Sequence, residues 1–167
     1  EALRRVGPTE FDDLIALVAL YRPGAMDQIP TYARGKRDPE RVEIPDERLA
    51  PIIGPTKGVI LYQEQSMQIA KVLGGFSGAK ADDLRKAIGK KNREAMAALK
   101  PEFYSGCEAS NTPRNVVDWL WQTNEKSADY SFNKSHAACY ALISYRTAWL
   151  RANYPAEYMA ALISSVM

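Results

Sequence analysis

The chain has 167 residues, 46% of them hydrophobic, with 22 Lys and Arg against 20 Asp and Glu. That is long enough for one sizeable core, or a core with an appended lobe, and its composition is that of a soluble globular protein and not a disordered one. A net charge of +2 announces no nucleic-acid partner by itself, so any electrostatic argument must be local.

Other classes recede on the same evidence. No apolar run approaches the roughly 20 residues that span a bilayer, and the opening EALRRVGPTE lacks the apolar stretch of a signal peptide. The absent initiator methionine reads as a piece of something longer. Cys107 and Cys139 make no disulfide framework and read as reduced intracellular thiols. A single histidine argues against a zinc site of nitrogen and sulfur ligands.

In chain order, Thr9 followed by Asp12 resembles a capping arrangement, with the threonine oxygen accepting from the N3 amide. Phe11, Leu14, Ile15 and Val18 then predict a helix buried on most sides, stopped at Arg22-Pro23-Gly24. From Pro23 to Pro51 prolines and charges dominate, including Arg34-Gly35-Lys36-Arg37. That stretch is too long for an ordinary loop and reads as too polar for a core element, so it is expected to wrap the surface or bind something.

Lys57 to Tyr62 is a short apolar run with β-branched content, strand or extended. A helix follows from about Glu64 to Leu73, ended by Gly74-Gly75. Ser77 opens another, with Ala81, Leu84, Ala87 and Ile88 on one face. A helix and a loop are expected from Lys91 to Cys107. Thr112-Pro113 reads as N-cap and N1 of a helix carrying Val116, Val117, Leu120 and Trp121. Helices from about Ser135 to Asn153 and from Pro155 to the end complete a mainly α protein with at most a short extended or β element.

Three groups of residues carry chemistry. In ADDLRKAIGKKNRE, residues 81 to 94, a helical period places Arg85, Lys86, Lys90 and Arg93 within one arc, provided the helix continues past Gly89. A cationic face of this kind suits a polyphosphate; the plainer reading is a solvated face neutralised by Asp82 and Asp83. In SFNKSHAACYALISY, residues 131 to 145, Asn133 or Ser135 caps a helix whose first-turn amides, beside Lys134 and His136, make an anion site. The plainer reading has His136 packed and Lys134 in water. A Cys139–His136 nucleophile would need an orienting third group and an oxyanion hole, and neither is identifiable.

In LYQEQSMQIA, Tyr62, Gln63, Glu64 and Gln65 gather hydrogen-bonding groups where the apolar run becomes a helix. Tyr130, Phe132, Tyr140, Tyr145 and Trp149 offer a stacking surface for bases, although aromatics at helical spacing are more often core.

GVILYQEQSMQIA, DLRKAIGKK, SFNKSHAACYALISY and ANYPAEYMAAL occur together and in order. In this, and in ALVALYRPGAM near the start, the chain resembles the fingers region of C-family replicative DNA polymerases, the bacterial DNA polymerase III alpha subunits. The likeness is weakest from Arg34 to Pro51 and from Pro101 to Trp121. It implies a multi-helix fingers lobe, with residues 1–24 as a palm–fingers junction helix, 25–56 as a Pro-rich, charged connection and 57–167 as the helical fingers. It implies a DNA-directed DNA polymerase whose fingers bind the incoming dNTP and template–primer DNA.

By that resemblance the dNTP-binding residues are Arg85, Lys86, Lys90, Lys91, Asn133, Lys134, Ser135 and His136, with Tyr62, Gln63, Glu64 and Gln65 supporting. Relatives often carry two arginines where this chain has Arg85-Lys86, and lysine lacks the planar fork. The family's metal-binding Asp-x-Asp belongs to the palm. Here Asp12-Asp13 and Asp82-Asp83 are adjacent pairs at helix starts, so no catalytic or metal residue is assigned, Mg²⁺ is expected on ligands outside this chain, and the isolated chain is expected to be inactive. The implied partners are primer–template DNA, dNTP, the palm and, through regions elsewhere, the sliding clamp, all in the bacterial cytoplasm. The competing class is a non-catalytic helical module that binds nucleic acid or protein with the same basic faces.

Overall fold

Proline starts helices in this chain more often than it interrupts them. Pro30, Pro51 and Pro155 stand in the first turn of their helices, where the missing N–H has no intrahelical partner to lose. The computed structural model describes residues 1–128 and 131–165. Its α-helices are α1 (Ala2–Val6), α2 (Phe11–Leu20), α3 (Ile29–Arg37), α4 (Ala50–Ile53), α5 (Gln63–Val72), α6 (Gly78–Gly89), α7 (Arg93–Ala109), α8 (Arg114–Ser127), α9 (Lys134–Asn153) and α10 (Pro155–Ser164). Among the described residues there is no sheet, only one isolated parallel bridge between Tyr62 and Phe132. The fold is mainly α.

The segment between Pro23 and Pro51 differs from its expectation. It is largely helical, and Ile29, Tyr32, Ala33 and Leu49 are buried in the core. Pro30, Pro39 and Pro51 stand in first turns, and most of its charges are solvent-facing, with Lys36 turned inward to Asp13. Smaller differences follow from local competition. Helix α7 runs unbroken through Pro101, because Met96, Phe103 and Cys107 are buried on both sides of it and outweigh one lost hydrogen bond. Pro113 is the N-cap of α8 and not its first residue.

Two apolar clusters share the interior. One gathers α4 to α8 around Ile53, Leu73, Leu84, Phe103 and Trp121. The Phe103 and Trp121 rings lie 5.5 Å apart, and a Cβ on Gly106 would overlap the carbonyl oxygen of Gly74, so α7 comes down onto the end of α5. The other cluster gathers α1, α2, α3 and the start of α9 around Leu17, Leu20, Tyr32, Ala137 and Ala141. The extended run before α5 lies between them. Ile60 joins the first cluster while Val59 and Leu61 join the second, the two-sided alternation of extended backbone.

Helix α9 leaves this core early. Ala137 and Ala141 are buried against α2, where small side chains permit close approach, and Tyr145 meets Phe11 edge-on at 6.1 Å. Farther on, Trp149 and Leu150 are exposed, as are Met159, Leu162 and Ile163 on α10. The aromatics Tyr140, Tyr145 and Trp149, for which burial was the commoner expectation, are exposed as well. Tyr130 lies outside the described residues. No helix among those described is long and apolar enough to cross a membrane.

The N-terminal half is fastened by Asp13, whose carboxylate is fully buried. It accepts from the amides of Thr9 at 2.9 Å and Glu10 at 3.2 Å, from the Tyr32 hydroxyl at 3.0 Å and from Lys36 Nζ at 2.6 Å. The capping box is therefore Glu10 with Asp13, one residue beyond the expected pair; the Thr9 hydroxyl instead accepts from Lys36 at 2.6 Å. Burial raises the Asp13 carboxyl, but Lys36, the two amides and Tyr32 together outweigh it and hold the pKa below its ordinary value.

Because the folded value is depressed, this contribution to stability is complete above the unfolded pKa of about 3.9. It is lost as pH falls from there through the folded value. Asp13→Asn leaves the Lys36 ammonium without its counter-charge and is expected to cost about 3 kcal/mol. Urea denaturation at pH 7 measures that loss, and the variant's stability should respond less to acid than the parent's in the window below pH 4.

Candidate nucleotide-binding site at the start of α5

The backbone of Leu61 to Gln63 fixes the site. Phe132 N–H donates to the Leu61 carbonyl at 3.3 Å, and Gln63 N–H donates to the Phe132 carbonyl at 3.0 Å. Two segments some 70 residues apart in sequence thus meet where α5 begins and α9 is about to begin. The buried Gln65 carboxamide locks one side of the junction. Its Oε1 accepts from the Leu61 and Tyr62 amides at 2.8 and 2.9 Å, and its Nε2 donates to the Ile52 carbonyl at 2.9 Å and to Thr56 Oγ1 at 2.7 Å. Every hydrogen-bonding position of a buried carboxamide that matters here is filled.

On the other side, Asn133 caps α9. Its Oδ1 accepts from the His136 amide at 2.9 Å and from the Ser135 hydroxyl at 2.6 Å. Its Nδ2 donates to Glu64 at 2.9 Å, and the same carboxylate accepts from the Lys134 amide at 3.1 and 3.2 Å. The first-turn amides expected to face outward are therefore partly occupied from within the chain. Exposed above them are the side chains: Lys134 Nζ lies 5.6 Å from the Tyr62 ring centroid, and the His136 ring meets Phe132 edge-on at 5.1 Å and lies tilted against Tyr140 at 4.6 Å.

The end of α6 meets the first turn of α5 from another direction. The Gln63 carboxamide lies over Gly89, where a Cβ would come within 3.1 Å of its Nε2. The first turn of α5 thus touches both the end of α6 and the start of α9. Helix α6 does not continue as the single arc required: it ends at Gly89, and Lys91 turns the chain with a φ of 55°. Arg93 accordingly belongs to α7. Arg85 Nε is held by Asp82 at 2.8 Å, and Lys86 is paired with Asp82 at 2.9 Å. The Lys86 and Arg85 hydrogen bonds hold the Asp82 carboxyl below its ordinary pKa. Lys90 and Lys91 are exposed at the turn.

Arg22 escaped the sequence reading, which treated it as part of a helix stop. Its guanidinium lies 4.1 Å over the Phe132 ring while Nε donates to the Ala19 carbonyl at 3.2 Å. No local pattern signals a contact across that many residues. The alternative thiol chemistry finds no geometry: His136 is engaged with two rings, and no hydrogen bond joins it to Cys139 among the described residues. Cys107 is buried, and burial pushes its thiol up to about 11, away from the thiolate a nucleophile needs.

No group of three His, Cys, Asp or Glu side chains among the described residues is placed to hold a metal ion. Asp13 is committed to Lys36, and Asp82 to the cations of its own helix.

Residues 1–111 match the profile described as the bacterial DNA polymerase III alpha subunit finger domain. The chain belongs to that family. It is 44% identical over 167 residues to the DNA polymerase III subunit alpha of Aquifex aeolicus, covering 99% of this chain and 14% of the relative. The same protein of Xylella fastidiosa strain Temecula1 is 47% identical over 165 residues, again covering 99% and 14%. That of Escherichia coli K12 is 44% identical over 174 residues, covering 100% and 15%. This fingers chain therefore spans about one-seventh of the length of the relatives it matches.

Proposed function

We propose that this fingers chain holds the triphosphate of an incoming dNTP and contacts template–primer DNA, as part of a replicative DNA polymerase. The observation that carries the reading is the first turn of α5, which Gln63 joins to the end of α6 and Glu64 joins to the start of α9. Arg85 and Lys86 belong to α6, Lys90 and Lys91 to the turn that follows it, and Lys134, Ser135 and His136 to the first turn of α9. Cations on two rigid helices suit a ligand that carries several negative charges along its length.

Nucleotidyl transfer develops charge on the departing pyrophosphate, and fixed cations that meet this charge lower the barrier. Arg85 keeps terminal guanidinium nitrogens available for a phosphate while Asp82 holds its Nε. Lys86 supplies charge without a planar fork, so its contact is a point charge. Mg²⁺, when bound, would supply activation of the primer hydroxyl and charge for the leaving group, on ligands expected outside these described residues. The exposed apolar faces of α9 and α10 support docking of this lobe on the rest of the subunit, since contiguous apolar surface of that kind marks an interaction site. The setting is the bacterial cytoplasm, with dNTP and primer–template DNA as partners.

Arg85→Ala in the complete polymerase tests the reading. It is expected to reduce kcat/KM for dNTP by about 10²-fold while primer–template affinity stays within about twofold. Wild-type nucleotide kinetics would reject the assignment. The 167-residue chain by itself is expected to show no Mg²⁺-dependent primer extension, and measurable extension would overturn the placement of the metal ligands.

A further inference from the structure

Glu64 occupies the place where an anion was expected from outside. Its carboxylate accepts from the Lys134 amide with both oxygens and from Asn133 Nδ2. The Lys134 amide is the first of α9, and Asn133 is that helix's cap, so a carboxylate here meets the positive end of the helix dipole. Glu64 is itself in the first turn of α5, whose entry is set by Gln65 and the Leu61–Phe132 pairing. The carboxylate therefore ties the start of one helix to the start of another across 69 residues of sequence.

We infer that Glu64 is the resident anion of α9: a positioning residue that holds Asn133 to His136 in register for nucleotide and closes the Lys134 amide to phosphate. The inference rests on the reading that Lys134 and His136 face the triphosphate. Asn133 must present Nδ2 to Glu64 in order to turn Oδ1 toward the His136 amide and the Ser135 hydroxyl. One carboxylate thus sets the orientation of the carboxamide that orients the next three residues. Phosphate is then met by side chains above the helix start. Their reach depends on where Glu64 holds the backbone.

The test is carried out in the complete polymerase with Glu64→Ala and Glu64→Gln beside Lys134→Ala and His136→Ala, following dNTP KM, kcat and primer–template Kd. Glu64→Ala is expected to raise dNTP KM about tenfold, since small displacements of positioning groups are costly, with primer–template Kd within about twofold. Glu64→Gln keeps an oxygen acceptor for the Lys134 amide and is expected to recover most of that loss.

Wild-type KM in Glu64→Ala, alongside a raised KM in Lys134→Ala or His136→Ala, would discard the role of Glu64 and keep the triphosphate reading. A lowered KM in either Glu64 variant would make the carboxylate a competitor of phosphate and overturn the inference. So would a parallel loss of primer–template binding in Glu64→Ala, or a Glu64→Gln variant as impaired as Glu64→Ala. Unchanged KM in both Lys134→Ala and His136→Ala would remove the triphosphate reading, and the inference with it.

Discussion

A single bridge between Leu61–Gln63 and Phe132 sets where α5 and α9 begin relative to each other. Without it, the first turns of α5 and α9, far apart in sequence, have no backbone hydrogen bond to join them. One pair of backbone hydrogen bonds is worth only about 1–3 kcal/mol in net stability, too little to hold two helix starts alone. The Gln65 carboxamide supplies the rest of the constraint by closing four hydrogen bonds around the entry to α5. Removing it would leave the Leu61 and Tyr62 amides buried without acceptors, which is the expensive way to lose a hydrogen bond.

That fixed entry explains why the site is built from side chains projected by rigid helices. Acidic residues at hydrogen-bond distance partner several of the candidate cations or their helix starts: Asp82 holds Arg85 and Lys86, and Glu64 holds the start of α9. These pairs are open to solvent on one side and contribute little to stability. Their effect is geometric, because a tethered guanidinium or a capped helix start has less freedom left to lose. Asp13 and Lys36 form a pair of another kind, buried between α2 and α3, where removing either charge destabilises the N-terminal half.

The helical class and most helix starts and stops were legible in the sequence, because apolar periodicity and caps are local signals. Ser77 capping α6, Gly74-Gly75 ending α5 and Pro155 opening α10 are cases where a few adjacent residues decide the outcome. The proline-rich connection was misread because its overall polarity hid short helices, opened at Pro30 and Pro51, that bury Ile29, Tyr32, Ala33 and Leu49. The shift from Asp12 to Asp13 came from Lys36 and Tyr32, partners outside any local window. The occupant of the α9 start was illegible for the same reason, since Glu64 and Lys134 are 70 residues apart. The exposed aromatics of α9 show the converse: an apolar stretch is readable as apolar, but its covering need not belong to the same 167 residues.

The claim that two helices serve one triphosphate is tested most directly by a double-mutant cycle between Arg85 and Lys134 in the complete polymerase, read as kcat/KM for dNTP. Groups that share one ligand should lose less together than the sum of their separate losses, with a coupling of at least about 0.5 kcal/mol. Losses that add to within about 0.3 kcal/mol, or a single variant with no loss at all, would contradict the account.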